Sequence, residues 1–172
     1  RQTEDGPWRL TGGVTFYESD VELSSCALHG AVSEDALNII RSRFELRDVH
    51  IAGARSDAFD SDFCTGTVVD ARFSDIGGDG IDLSGSTVDV QRAVFESIHD
   101  KALSVGEAST LTASDLTVRG AGVAAASKDA STAEIAGLDL EGIGFCALMA
   151  YTKKPEYGPA SLSVSGIVGG GD

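Results

Sequence analysis

Apolar and small residues alternate with polar ones at period two through most of the chain, in short runs. A small residue followed by an apolar one stands at Gly13-Val14, Ala36-Leu37, Ala58-Phe59, Gly80-Ile81, Ala102-Leu103, Gly122-Val123 and Gly144-Phe145, at steps of 20 to 23 residues. After each pair comes a second signature, apolar or small at i, i+2, i+5 and i+7. It reads Val21, Leu23, Cys26, Leu28, then Phe44, Leu46, Val49, Ile51, and runs on through Val88, Val90, Ala93, Phe95 to Ala133, Ile135, Leu138, Leu140. Residues at i and i+2 share one face of a strand. The jump from i+2 to i+5 needs a two-residue corner, and polar pairs such as Arg47-Asp48, Gln91-Arg92 and Ser114-Asp115 stand there.

Each repeat therefore predicts three short strands joined by bends. Stacked in register, such repeats bury their inward positions in one continuous core. A leucine-rich repeat has a similar period, but the stretch between Ile51 and Phe59 is too short for a helix of several turns. The expectation is an all-β chain, a right-handed parallel β-helix (β-solenoid) of about seven coils, each about 22 residues long. Residues 1–12 read as an N-terminal cap segment with Trp8 as its plug, 13–168 as the parallel β-helix, and 169–172 as a flexible tail. The coil from Ala133 to Leu162 is longer than the others. Its extra residues fall between Met149 and Ala160 and form an inserted loop.

The stretch Gly77-Gly78-Asp79-Gly80-Ile81-Asp82-Leu83-Ser84-Gly85-Ser86, with this period and bent-strand signature, resembles right-handed parallel β-helices of the pectin-lyase-like superfamily. Ser56-Asp57-Ala58-Phe59-Asp60-Ser61-Asp62 and Lys153-Lys154-Pro155-Glu156-Tyr157 also resemble β-helix segments of large exported bacterial proteins. The resemblance implies the architecture. It further implies an extracellular or cell-envelope location, and polysaccharide as the class of ligand.

Composition and charge narrow the partners. The formal net charge is −14, which repels phosphate backbones and excludes nucleic acid as a partner. No run approaches the ~18 apolar residues of a membrane span, so membrane insertion is not expected. Cys26, Cys64 and Cys146 have neither a zinc spacing nor a paired framework and read as free thiols.

Equal register in successive coils places Asp35, Asp57, Asp79 and Lys101 in one outward column and Asn38, Asp60, Asp82 and Ser104 in another. Along one strand, Phe59, Ser61 and Phe63 are expected inside, and Asp60 and Asp62 outside. Neighbouring coils lie about 4.8 Å apart, so stacked carboxylates repel unless one is protonated or a cation binds. Asp57, Asp60, Asp79 and Asp82 are the candidate metal ligands, with calcium the fitting ion because it takes several oxygens in irregular geometry. The competing role for these residues is bonding local backbone at bends. The loop residues Tyr151, Lys153, Lys154 and Tyr157 are candidate substrate contacts.

Polysaccharide lyases of the resembling fold use acidic residues and calcium with a Lys or Arg base. That resemblance implies Asp79, Asp82 and Lys101 as catalytic candidates, with Lys128 or the His50 and Arg72 pair as further cationic groups. The leading expectation is a non-catalytic carbohydrate-binding or structural module. A lyase or hydrolase of acidic glycans is the alternative.

Overall fold

The computed structural model describes residues 10–169. The cap plug Trp8 and the tail beyond Gly169 lie outside the described residues. The chain is all-β, and every strand pairing is parallel. Among the described residues, thirteen strands form one continuous sheet that winds through about six turns, one fewer than the periodicity suggested.

Three walls are built from recurrent strands. The first stacks β1 (Gly12–Tyr17), β3 (Asp35–Ile40), β5 (Asp57–Asp62), β8 (Ile81–Ser84) and the second half of β10 (Val94–Gly106). The second stacks β2 (Val21–His29), β4 (Arg43–Ala52), β6 (Thr65–Val69), β9 (Thr87–Gln91), β11 (Thr110–Lys128), β12 (Thr132–Tyr151) and β13 (Ser161–Val168). The third begins in the second half of β4 and includes β7 (Arg72–Ile76) and the first half of β10. In the later coils the walls run together into strands of up to 20 residues.

Three series of left-handed corners turn the chain. One runs Glu18, Arg41, Phe63, Gly85, Glu107, Asp129; a second Ser25, Asp48, Asp70, Arg92, Asp115, Gly137, Gly166; a third Gly30, Gly53, Asp75, Ser97, Gly120, Gly142, all with φ between 48° and 79°. A left-handed residue costs most amino acids about 1 kcal/mol or more. Each corner repeats one coil later, where the ladder holds its neighbours, so the same cost recurs through the fold. The polar pairs at the second corner were legible in the sequence, and the second residue of each pair is the left-handed one.

The core is a set of inward columns. Leu37, Phe59, Ile81 and Leu103 stack in register and are essentially inaccessible to solvent. Phe73 and Phe95 stack with ring centroids 5.0 Å apart, and Phe44 meets Phe59 edge to face at 5.3 Å. Such pairs add to the burial of large rings. Phe44 fills the space a side chain at Gly66 would take, since an added Cβ there would lie 2.5 Å from the ring. Beside the first corner runs a buried ladder of side chains on backbone. The N–H of Ser42 donates to Cys64 Sγ, that of Cys64 to Ser86 Oγ, that of Ser86 to Ser109 Oγ, and that of Ser109 to Ser131 Oγ.

Two inward assignments from the sequence are corrected. Phe63 is 60% exposed, because it is itself a left-handed corner residue and the alternation breaks there. Phe145 is 79% exposed. Register shifts, between Ile98 and Lys101 where β10 meets β11 and between Ala121 and Val123 where β11 meets β12, leave Leu103 opposite Ala125 and Ala125 opposite Leu148. The inward pairs of the last two coils are thus Ala124-Ala125 and Ala147-Leu148, not Gly122-Val123 and Gly144-Phe145.

Candidate functional site

The outer side of the first wall carries the densest charge. Strand pairing brings Asp35, Asp57, Asp79 and Lys101 into one column and Asn38, Asp60, Asp82 and Ser104 into the next. A third column holds Ile40, Asp62, Ser84, Gly106 and Lys128. The wall places these groups because the repeat is constant and the strands are parallel: equal register means equal height and equal side.

The first column is largely occupied by backbone. Asp57 Oδ1 accepts the N–H of Asp79 at 2.7 Å, and Asp79 Oδ1 accepts the N–H of Lys101 at 2.9 Å. Gly78 makes the first bond feasible, since a Cβ there would lie 2.1 Å from Asp57 Oδ1. Asp79 also takes Lys101 Nζ at 3.1 Å, and Lys101 bonds Asp100 as well. Asp57 and Asp79 thus perform the local backbone-bonding role.

The middle column behaves differently. Asn38, fully buried, donates through Nδ2 to Asp60 Oδ2 at 3.1 Å and to Asp62 Oδ2 at 3.2 Å. Asp82 Oδ1 lies 3.6 Å from Lys128 Nζ, within ion-pair but not hydrogen-bond reach. Lys128 lies flat across Gly106, with its Cε 2.7 Å from where a Cβ of residue 106 would be. Asp35 Oδ2, Asn38 Oδ1, Asp82 Oδ1 and Ser104 Oγ are buried with no hydrogen-bond partner among the described residues. Buried polar atoms are ordinarily satisfied, so this concentration on one wall marks it out.

Electrostatics follow from crowding. Burial, then the neighbouring charges of Asp62, Asp35, Asp82 and Asp57, pushes the Asp60 carboxyl up to about 9. Burial is also the main cause that raises Asp35 and Asp57 to about 6, with like charges adding to it. Asp62 is raised by burial against the opposing bond from Asn38. In Asp79 burial outweighs Lys101 and the carboxyl is raised. For Lys101 burial works the other way, but the bonds from Asp100 and Asp79 prevail and its ammonium is held above the usual range.

Among the described residues, no group of three or more His, Cys, Asp or Glu side chains is arranged to hold a metal ion. Of the four carboxylates named for calcium, two bond backbone. Asp60 and Asp82, adjacent in register, are left beside Asp62.

The inserted loop, residues 152–160, is pinned against the first corner. Asp129 Oδ1 accepts the N–H groups of Lys153 and Lys154 at 2.6 Å each, and Lys154 Nζ pairs with Glu107. Tyr151 pairs with Lys128 on the neighbouring strand. Of the loop candidates, Tyr151 thus stands next to Lys128 in register, Lys153 and Lys154 sit at the first corner against Asp129 and Glu107, and the Tyr157 N–H closes the loop onto the Lys154 carbonyl. His50 and Arg72 do share register, on the third wall, where His50 meets Ser74 and Arg72 pairs with Glu96. A depression of about 440 Å³ lies on the second wall, lined by Val21, Glu22, Arg43, Phe44, Glu45 and Gly66 among others, far from these carboxylates.

Sequence reading had Asn38 in its column without a role and treated Asp62 only as outward-facing. Their signal was the 22-residue register itself, which puts Asn38 one coil from both Asp60 and Asp62.

No protein-family model and no curated protein matches the chain. A solved structure of trypsin-treated QnrB1, described as a plasmid-mediated fluoroquinolone resistance protein, is similar at 12% identity. The match covers 88% of this chain and 91% of that one, with a TM-score of 0.18. A likeness that slight carries no argument about this chain. Among the described residues no helix is long and apolar enough to cross a membrane.

Proposed function

We propose that this chain is a non-catalytic carbohydrate-binding or structural module of an exported bacterial protein, and that its first wall is the working surface. The finer assignment to pectin-lyase-like right-handed β-helices belongs to this reading. The observation that carries it is the strip of half-buried carboxylates Asp60, Asp62 and Asp82, repeated at strand spacing over successive coils and backed by the buried Asn38 and Ser104. A rigid ladder with one polar group per coil suits a linear polymer of hydroxyl-bearing units, because regular spacing on both sides lowers the ordering cost of binding. Binding to a panel of linear oligosaccharides, followed by titration calorimetry, tests it. Absence of binding to every member leaves only the structural role.

A second reading is an enzyme acting on acidic polysaccharide, favoured by one feature. Asp60 is held protonated beside Asp62 and Asp82, and a neutral carboxylic acid next to carboxylates is the pairing that acid–base cleavage of a glycosidic bond needs. In this reading Asp79, Asp82 and Lys101 would be the other participants. Calcium would meet Asp60 and Asp82, but among the described residues no third His, Cys, Asp or Glu joins them in an arrangement that could hold a metal. Incubation with uronate polymers, with and without calcium, decides it: unsaturated or reducing ends lost in Asp60→Asn support the enzyme, and no product from any polymer removes it.

A further inference from the structure

We infer that the side chains of Lys128 and Asp82 condense with each other into an isopeptide bond, a covalent tie across two coils of the solenoid. This modification goes beyond the reading of the first wall as a binding surface and does not depend on it. Lys128 is 8% exposed. Its side chain runs over Gly106, where an added Cβ would lie 2.7 Å from Lys128 Cε, so a side chain at 106 would block the lane. The lane ends at Asp82, with Nζ 3.6 Å from Oδ1. Neither end of that contact is otherwise served. Lys128 Nζ has only this ion-pair contact among the described residues, and Asp82 Oδ1 is buried with no hydrogen-bond partner among them. Lys101, by contrast, bonds both Asp79 and Asp100, and Asp79 accepts a backbone N–H as well. Buried charges without hydrogen bonds are costly, and condensation removes both charges of the Lys128–Asp82 pair.

Two groups flank the reacting carboxyl. Asp60 and Ser104 stand on either side of Asp82 in the same column. Ser104 is fully buried and its Oγ has no hydrogen-bond partner among the described residues. Burial, with like charges adding to it, keeps Asp60 a neutral acid at neutral pH. No co-reactant is needed. Lys128 passes one ammonium proton to Asp82, and its Nζ attacks Asp82 Cγ. A carboxyl C–O bond then breaks, and the oxygen leaves as water with two of the three ammonium protons. The third stays on the amide nitrogen. Asp60 lends its proton to the departing oxygen and recovers one from the nitrogen, so it ends unchanged, and Ser104 donates to the developing oxyanion. Such condensation is unfavourable between free groups in water. Holding the groups near attack distance, about 3–3.5 Å, supplies the effective concentration that reverses this.

The test is the intact mass of the purified chain together with a map of its proteolytic peptides. The expected mass is one water below that of the sequence, with a branched peptide joining the segments that contain Asp82 and Lys128. Lys128→Arg and Asp82→Ala should each restore the full mass, whereas Lys101→Arg should keep the loss. Asp60→Asn should lower the cross-linked fraction of freshly purified chain several-fold, and an unchanged fraction would overturn its assignment as the proton carrier. A succinimide at Asp79-Gly80 also sheds one water, but it gives no branched peptide and survives Lys128→Arg, and that result overturns the proposal. So does a branch at Lys101, or a parent chain still at full mass after prolonged incubation at neutral pH. Circular dichroism confirms that each variant is folded. Where one is not, the mass and branched peptide of the parent chain decide the matter by themselves.

Discussion

The backbone N–H of Cys64 donates to Ser86 Oγ at 2.9 Å, one coil away, and Ser86 Oγ in turn bonds the carbonyl of Ser61 at 2.8 Å. Ser86 is almost inaccessible to solvent. Its hydroxyl thus satisfies a buried donor and a buried acceptor in the preceding coil. Ser86→Ala removes the acceptor of the buried Cys64 N–H, and we expect a loss of about 1–3 kcal/mol in urea unfolding. Cys64→Ser installs the residue type used at the other positions of the ladder and should be far milder. Equal effects from the two changes would show that the ladder is not what holds this corner.

The charged wall makes stability depend on pH in an unusual direction. Asp35, Asp57 and Asp60 have folded values above the ordinary carboxylate range. The folded state therefore holds protons that the unfolded chain has released, and stability falls as pH rises. The contribution is fully present below about 4, the unfolded value. It is lost through about 6 for Asp35 and Asp57, and through about 9 for Asp60. Melting temperature should therefore decline from mildly acidic to alkaline pH, and Asp60→Asn should flatten the alkaline part of that decline. A melting temperature that rises over this interval contradicts the assignment.

Two glycines separate crowding from backbone strain. A Cβ at Gly66 would lie 2.5 Å from the buried Phe44 ring, whereas one at Gly30 meets nothing within 4 Å but sits at φ +69°. Gly66→Ala should cost about 1–3 kcal/mol through overpacking, and pairing it with Phe44→Leu should recover much of that. Gly30→Ala should cost about 1 kcal/mol from its left-handed backbone alone, with no rescue from any neighbouring truncation. Chemical denaturation of the three variants measures both effects.

The two exposed phenylalanines should be silent in stability. Phe63→Ser and Phe145→Ser remove little buried surface and should stay within about 0.5 kcal/mol of the parent. Phe59→Ala, in the middle of the core, should cost about 3–5 kcal/mol. A large loss from Phe145→Ser would mean that the inward register read from the sequence was the correct one.

Asp129 fastens the inserted loop. Asp129→Ala removes the acceptor of the Lys153 and Lys154 N–H groups, so amide exchange over residues 152–160 should accelerate while the protection of β11 is retained. Slow exchange persisting in the loop would assign its order to the Lys154–Glu107 pair instead.

The outward columns of the first wall were legible before any coordinates. Asp35, Asp57 and Asp79 fall at one register and Asn38, Asp60 and Asp82 at another, and parallel strands preserve register by construction. What each carboxylate does was not legible. Asp57 and Asp60 stand in neighbouring columns of the same coil, yet one bonds the Asp79 N–H and the other is crowded by like charge. Period-two alternation encodes which side a residue faces and carries no information on the reach or direction of its side chain.

The sequence by itself determined the all-β solenoid, its repeat of about 22 residues and its polar corners, because burying a repeated apolar pattern leaves few other ways to stack the chain. Only the tertiary structure decided where the register slips after Ala121, which turns Phe145 outward, and how Lys101 and Lys128 reach Asp79 and Asp82. The physical reason is range. Strand alternation is a local property of the chain, whereas a lysine lying across Gly106 toward a carboxylate two coils away depends on contacts between residues 46 positions apart in sequence.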